Sequence, residues 1–162
     1  MLRSVTAPDC FFGESQGKTW RRAGRFIMCV AATYAPAGGG RISMIDPRDI
    51  AACVLAAITN SKHQLKAYDL TGPEALSLAQ AAEKLSAAVG KNIKFVDLPD
   101  DAYRSALLDA GLIPQFVDAY IQFWDIVKAG LAAGISPAVE QIVGKKPRSL
   151  DDWARDNAAS LR

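Results

Sequence analysis

The hydrophobic positions of this chain recur in short blocks whose spacing alternates between the period of a strand and that of a helix. Arg41-Ile-Ser-Met-Ile45 reads as a short strand. The next residues read as a helix start: Asp46 caps, Pro47 takes the first helical position and Asp49 lies in the positive first turn. Ile50, Val54, Leu55 and Ile58 share one face of that helix, with alanines that permit close packing, so a buried helix leaving at Asn60 is expected. Ala67 to Leu70 reads as a compact strand that Thr71-Gly-Pro-Glu74 turns away. Ser77 to Gln80 fits a capping box, after which Leu78, Ala82, Leu85 and Val89 keep helical spacing until Gly90. Ile93 to Leu98 is a further strand with apolar side chains on both faces, stopped at Pro99.

The later chain reads as helical. Asp100 is expected to cap a segment in which Tyr103 and Leu107 share a face, and Gly111 closes it. Pro114 starts another, carrying Phe116, Val117, Tyr120, Ile121, Trp124 and Val127 on one broad apolar stripe. Such a stripe suits a core or packing surface, and it also suits a wall of a substrate pocket. Ser136-Pro137 opens a short helix that ends at Gly144, and Ser149 with Asp151 and Asp152 opens the last, with Trp153 facing inward. Lys145-Lys-Pro-Arg148 between them reads as a linker from a helix C-terminus, where cations are favoured, to a capped N-terminus. The fold class is therefore α/β, mostly helical with a few short strands.

Composition narrows the class further. The 162 residues are half hydrophobic with a formal charge of +2, as expected of one soluble globular domain. Between Met1 and Arg41 six Lys or Arg residues face two acids, but no aromatic-basic interleaving or helix-turn-helix signal accompanies them, so no nucleic-acid partner is expected. Cys10, Cys29 and Cys53 are odd in number and widely spaced, which suits reduced thiols in a cytoplasmic protein. Arg21-Arg22 before the apolar run Phe26 to Ala32 is similar to an export signal, yet the run is far too short to span a membrane. His63 sits in a polar turn beside Lys62 and Gln64 and reads as a surface residue.

Three phrases carry a family likeness: Tyr34-Ala-Pro-Ala-Gly-Gly-Gly-Arg-Ile-Ser-Met-Ile-Asp-Pro-Arg-Asp-Ile-Ala-Ala52, Tyr68-Asp-Leu-Thr-Gly-Pro-Glu-Ala-Leu-Ser77 and Ile142-Val-Gly-Lys-Lys-Pro-Arg-Ser-Leu150. They resemble the C-terminal part of NmrA-like proteins, atypical short-chain dehydrogenases that include NADPH-dependent quinone and azo-dye reductases and redox-sensing regulators. The resemblance implies a Rossmann-like NmrA-type fold in which residues 34–162 supply a late sheet strand and most of a helical cap, with residues 1–33 an irregular basic segment. It also implies NAD(P) as cofactor and a small-molecule acceptor. Leu2-Arg3 with Phe11-Phe-Gly-Glu-Ser15 resembles the family's strand end and aromatic loop beside the nicotinamide, which makes Phe11 and Phe12 the candidate substrate-binding residues.

The chemistry is harder to place. The family lays the cofactor's phosphates on a glycine-rich turn that opens a helix, and no G-x-G-x-x-G or G-x-x-G-x-x-G occurs here. Gly38-Gly39-Gly40 precedes a strand signal, so it reads as a hairpin or bulge turn and no cofactor-binding residue is assigned. No tyrosine has a lysine four positions later, which removes the usual proton-transfer pair and leaves the catalytic residues unassigned. Asp100-Asp101 and Asp151-Asp152 lie at helix starts and serve the dipole, so no metal site is expected. Three functions stay open: an oxidoreductase relative of the quinone or azo class that is inactive as this chain, a non-catalytic redox-sensing regulatory or binding protein, and a truncated product without independent activity. Self-association or a partner chain is expected, and membrane insertion is not.

Overall fold

The computed structural model describes residues 28–29 and 32–159. Strands β1 (Met28–Cys29), β2 (Ala32–Ala35) and β5 (Lys94–Asp97) form a sheet in the order β1-β2-β5, with β1 antiparallel and β5 parallel to β2. The parallel register runs from Ala32 opposite Lys94 to Ala35 opposite Asp97. A second, two-stranded ribbon joins β3 (Arg41–Ile42) to β4 (Leu76–Ser77). Six helices complete the described residues: α1 (Pro47–Thr59), α2 (Leu78–Val89), α3 (Asp100–Asp109), α4 (Pro114–Lys128), α5 (Ala138–Val143) and α6 (Leu150–Asn157). The α/β class and its helical bias are as expected. Among the described residues no helix is long and apolar enough to cross a membrane.

Local signals set the helix ends. Asp46 accepts the Arg48 N–H at 2.8 Å with Pro47 behind it. Ser77 and Gln80 form a reciprocal capping box, Ser149 and Asp152 form another, and Gly90 and Gly144 end their helices in the left-handed conformation. Asp100 departs from expectation. It is the first residue of α3 and makes no cap; its carboxylate instead takes the Lys128 ammonium at 2.9 Å, tying α3 to the end of α4.

Two apolar clusters build the core. Tyr103 and Leu107 of α3 and Val117, Trp124 and Val127 of α4 close over Ala35 and Ala37, while Ala82, Leu85, Val89, Ile93 and Ala154 join α2 to α6. Phe95 of β5 packs on both and links them. Val117 and Val127 are fully buried, each contributing about 1.5–3 kcal/mol of transfer free energy.

Three further expectations are corrected. Residues 67–70 form no strand. A strand exists through its ladder partner, and residues 67–70 pair with no strand among the described residues. The strand expected over 41–45 shortens to Arg41–Ile42, because Ser43 turns its N–H and hydroxyl to the Ala132 and Gly134 carbonyls. The apolar face of α1 is not buried: Ile50, Val54, Leu55 and Ile58 are exposed, and Asp49 and Cys53 point inward instead. Ion pairs set that orientation. Arg48 bridges Asp46 at 2.6 Å and Asp156 at 2.7 Å, and buried Asp49 receives both the Arg148 N–H at 2.7 Å and its guanidinium. Arg148, read as linker, is thus the clamp between α1 and α6.

Candidate functional site

In open parallel sheets, ligands bind outside the carboxyl ends of the strands. Here β2 and β5 end together, β2 running into the Gly38–Arg41 turn and β5 into the start of α3. Gly38 sits at φ +53° and donates its N–H to Asp97 Oδ1 at 2.9 Å, while Gly40 N–H closes a turn on the Ala37 carbonyl at 3.0 Å. A Cβ on Gly40 would stand 2.6 Å from the Val127 carbonyl oxygen, so only glycine lets this turn lie against α4. The turn is real, but it is no hairpin, since β2 and β3 lie in different sheets.

This geometry tests the turn as a cofactor cradle. Two of its three glycine N–H groups are already spent within the protein, and the chain then enters β3 rather than a helix. The turn therefore does not fit the phosphates of NAD(P). A shallow depression of about 370 Å³ beside the turn is lined by Gly39, Gly40, Arg41, Lys128, Gly130 and Ala133. Lys128 is held there by Asp100 at 2.9 Å and Asp125 at 3.0 Å, and these hydrogen bonds push its pKa up.

A second concave surface, about 380 Å³, lies on the outer side of α4 between Phe116, Ala119, Tyr120 and Phe123. The stripe expected as one face is thus two. Val117, Trp124 and Val127 turn inward, whereas Phe116 is 62% and Tyr120 is 38% exposed. Phe123, 42% exposed, joins them and meets Trp124 edge-to-face at 5.0 Å. It escaped the sequence reading, although Phe116, Tyr120 and Phe123 keep the i, i+4, i+7 spacing of a second helical face.

Acid–base groups are scarce at both surfaces. Burial pushes the Tyr103 phenol up; Tyr103 lies in the core, with Trp124 edge-to-face at 6.4 Å, and the buried Trp124 Nε1 makes no hydrogen bond of good geometry. A phenol held protonated and covered this way is a packing group. His63 lies in a 3-10 turn, its Nδ1 2.9 Å from the Tyr68 hydroxyl, in keeping with a turn residue. Cys53 is a free, buried thiol whose pKa burial raises. Among the described residues no group of three or more His, Cys, Asp or Glu is placed to hold a metal ion. Phe11 and Phe12 lie outside the described residues.

No family model matches the chain. It is 34% identical over 128 residues to the NAD(P)H azoreductase of Xenophilus azovorans, covering 79% of this chain and 45% of that protein. The (4-alkanoyl-5-oxo-2,5-dihydrofuran-3-yl)methyl phosphate reductase of Streptomyces griseus is 32% identical over 143 residues, covering 88% of this chain and 49% of that one. In fold it matches an NADPH-dependent quinone oxidoreductase of Escherichia coli with a TM-score of 0.72 at 22% identity, over 85% of this chain and 50% of the other. These likenesses are those of a C-terminal part of the NmrA-like NAD(P)-dependent quinone and azo reductases. It spans about half the length of the relatives it matches. The Rossmann-like character of the β2–β5 pair and the helices around it accords with that likeness.

Proposed function

We propose that this chain forms the acceptor-binding side of an NAD(P)H-dependent reductase for flat, conjugated acceptors of the quinone or azo kind. The observation that carries the reading is the outer face of α4, where Phe116, Tyr120 and Phe123 stand exposed around one concave surface. Rings arranged this way can stack on a planar acceptor, each pair contributing about 0.5–1.5 kcal/mol beyond area burial. Azo and quinone compounds, named for two of the relatives, have that planarity. Hydride chemistry belongs to the nicotinamide. The part of residues 34–162 is to hold the acceptor's face and keep water from it, and Phe11 and Phe12 stay candidate acceptor contacts on the family likeness alone.

Titrating menadione or methyl red onto the chain and following tryptophan fluorescence tests this. Saturable binding that Phe116→Ala with Phe123→Ala weakens about tenfold is expected; unchanged affinity would remove α4 from the site. NADPH titrated by calorimetry is expected to give no low-micromolar binding to this chain, because its glycine turn has spent two of its three N–H groups and opens no helix. Tight binding would overturn that assignment.

A further inference from the structure

The concave surface on the outer side of α4 is apolar but for one side-chain group. Of the residues that line it, Phe116 and Phe123 bring rings, Ala119 brings a methyl group that leaves room between them, and Tyr120 brings a phenol. Along the helix Phe116 and Phe123 stand roughly 10 Å apart, at about 1.5 Å per residue, with Tyr120 between them and turned about 40° from Phe116. A flat ring system laid across the two phenylalanines therefore has the phenol beside it. The Tyr120 hydroxyl bonds no other described residue, so water is what a ligand atom would displace from it. The neighbouring phenol of Tyr103 is buried in the core and meets no ligand.

We infer that Tyr120 is the specificity-determining residue of this surface, selecting ring systems that carry an uncharged hydrogen-bond acceptor, a carbonyl oxygen or an azo nitrogen, over bare hydrocarbons of the same outline. This selection rests on the acceptor reading and narrows it. Rings alone give affinity with little discrimination, because every flat hydrophobe offers a π-face and area burial has no direction. A carbonyl that leaves water for an apolar surface loses a hydrogen bond, and the phenol restores it. No charged side chain lines the surface, so a carboxylate or sulfonate on the acceptor finds no partner there and is left to face solvent. The volume, about 380 Å³, is that of a small-ligand site.

The test is equilibrium dialysis of the full chain against 2,3-dimethyl-1,4-naphthoquinone, which has no vacant quinone carbon for a thiol to attack, and against 2,3-dimethylnaphthalene, its hydrocarbon counterpart. Tyr120→Phe keeps the ring and removes only the hydroxyl. The variant is expected to bind the quinone about fivefold more weakly and the hydrocarbon as the unaltered chain does. A purely structural role would shift both ligands together. Quinone binding that is unchanged in the variant, or that falls no more than hydrocarbon binding does, overturns the selection and leaves the acceptor reading standing. If the unaltered chain binds neither ligand, the acceptor reading falls and the selection with it.

Discussion

Gly72 shows how much one residue can carry. A Cβ there would stand 1.8 Å from the Met44 carbonyl oxygen, and the obstacle is backbone that no rotamer change relieves. Gly72→Ala should cost about 2–3 kcal/mol, read as a lower urea midpoint with an unchanged slope. Asp46 contributes to acid behaviour, as does Asp152, whose hydrogen bonds from Ser149 also lower its pKa. At Asp46, hydrogen bonds from the Arg48 side chain hold the carboxyl below the ordinary value, against the opposing effect of burial. A carboxylate depressed in the folded state contributes stability that is complete above the unfolded value, about 3.9, and is lost as pH falls through the lower folded value. Stability should therefore hold level near neutral pH and decline below about pH 4. Asp46→Asn keeps a good cap but removes the charge, so its decline in acid should be shallower; equal acid limbs would place the effect elsewhere.

At the scale of elements, α4 separates packing from binding along one helix. Val117 is fully buried and Phe123 is 42% exposed, so Val117→Ala should cost about 2 kcal/mol in thermal or urea unfolding, while Phe123→Ala costs about 1 kcal/mol, the worth of its edge-to-face contact with Trp124, and alters acceptor affinity. The reverse pattern would refute the division of faces. The helix ends were legible in the sequence because their causes are local: Asp46, Ser77 and Ser149 each bond a neighbour within three residues. Asp100 was misread because its partner, Lys128, lies on another helix. The strand expected at residues 67–70 failed for a similar reason, since no ladder partner is written into a strand's own residues. Periodicity named the apolar face of α1 correctly and could not say what covers it. The α4 stripe concealed two faces because its six apolar residues fill one arc of roughly 140°, wider than the rest of the chain covers, and periodicity alone does not mark which edge of the arc stays open.

For the molecule as a whole, these open surfaces bear on how it behaves alone. The α1 stripe, the outer rings of α4 and the short edge strands together leave apolar area and backbone groups that favour association. Alone, the chain should give a polydisperse, concentration-dependent mass in light scattering coupled to size exclusion. A monodisperse monomer with one sharp melt would show that its two clusters close a sufficient core by themselves. The parallel pairing of Ala32 with Lys94 carries one more consequence, in time rather than in space. During synthesis β2 leaves the ribosome long before β5, and the crossover that joins them contains both α1 and α2. The helices can form as they emerge, but the sheet must wait for a contact between distant parts of the chain, whose loop-closure entropy is lost before the contact stabilises anything. Through that interval the edge of Ala32 to Ala35 that faces β5 is unpaired, so the nascent chain is most exposed to misassociation before Lys94–Asp97 is made.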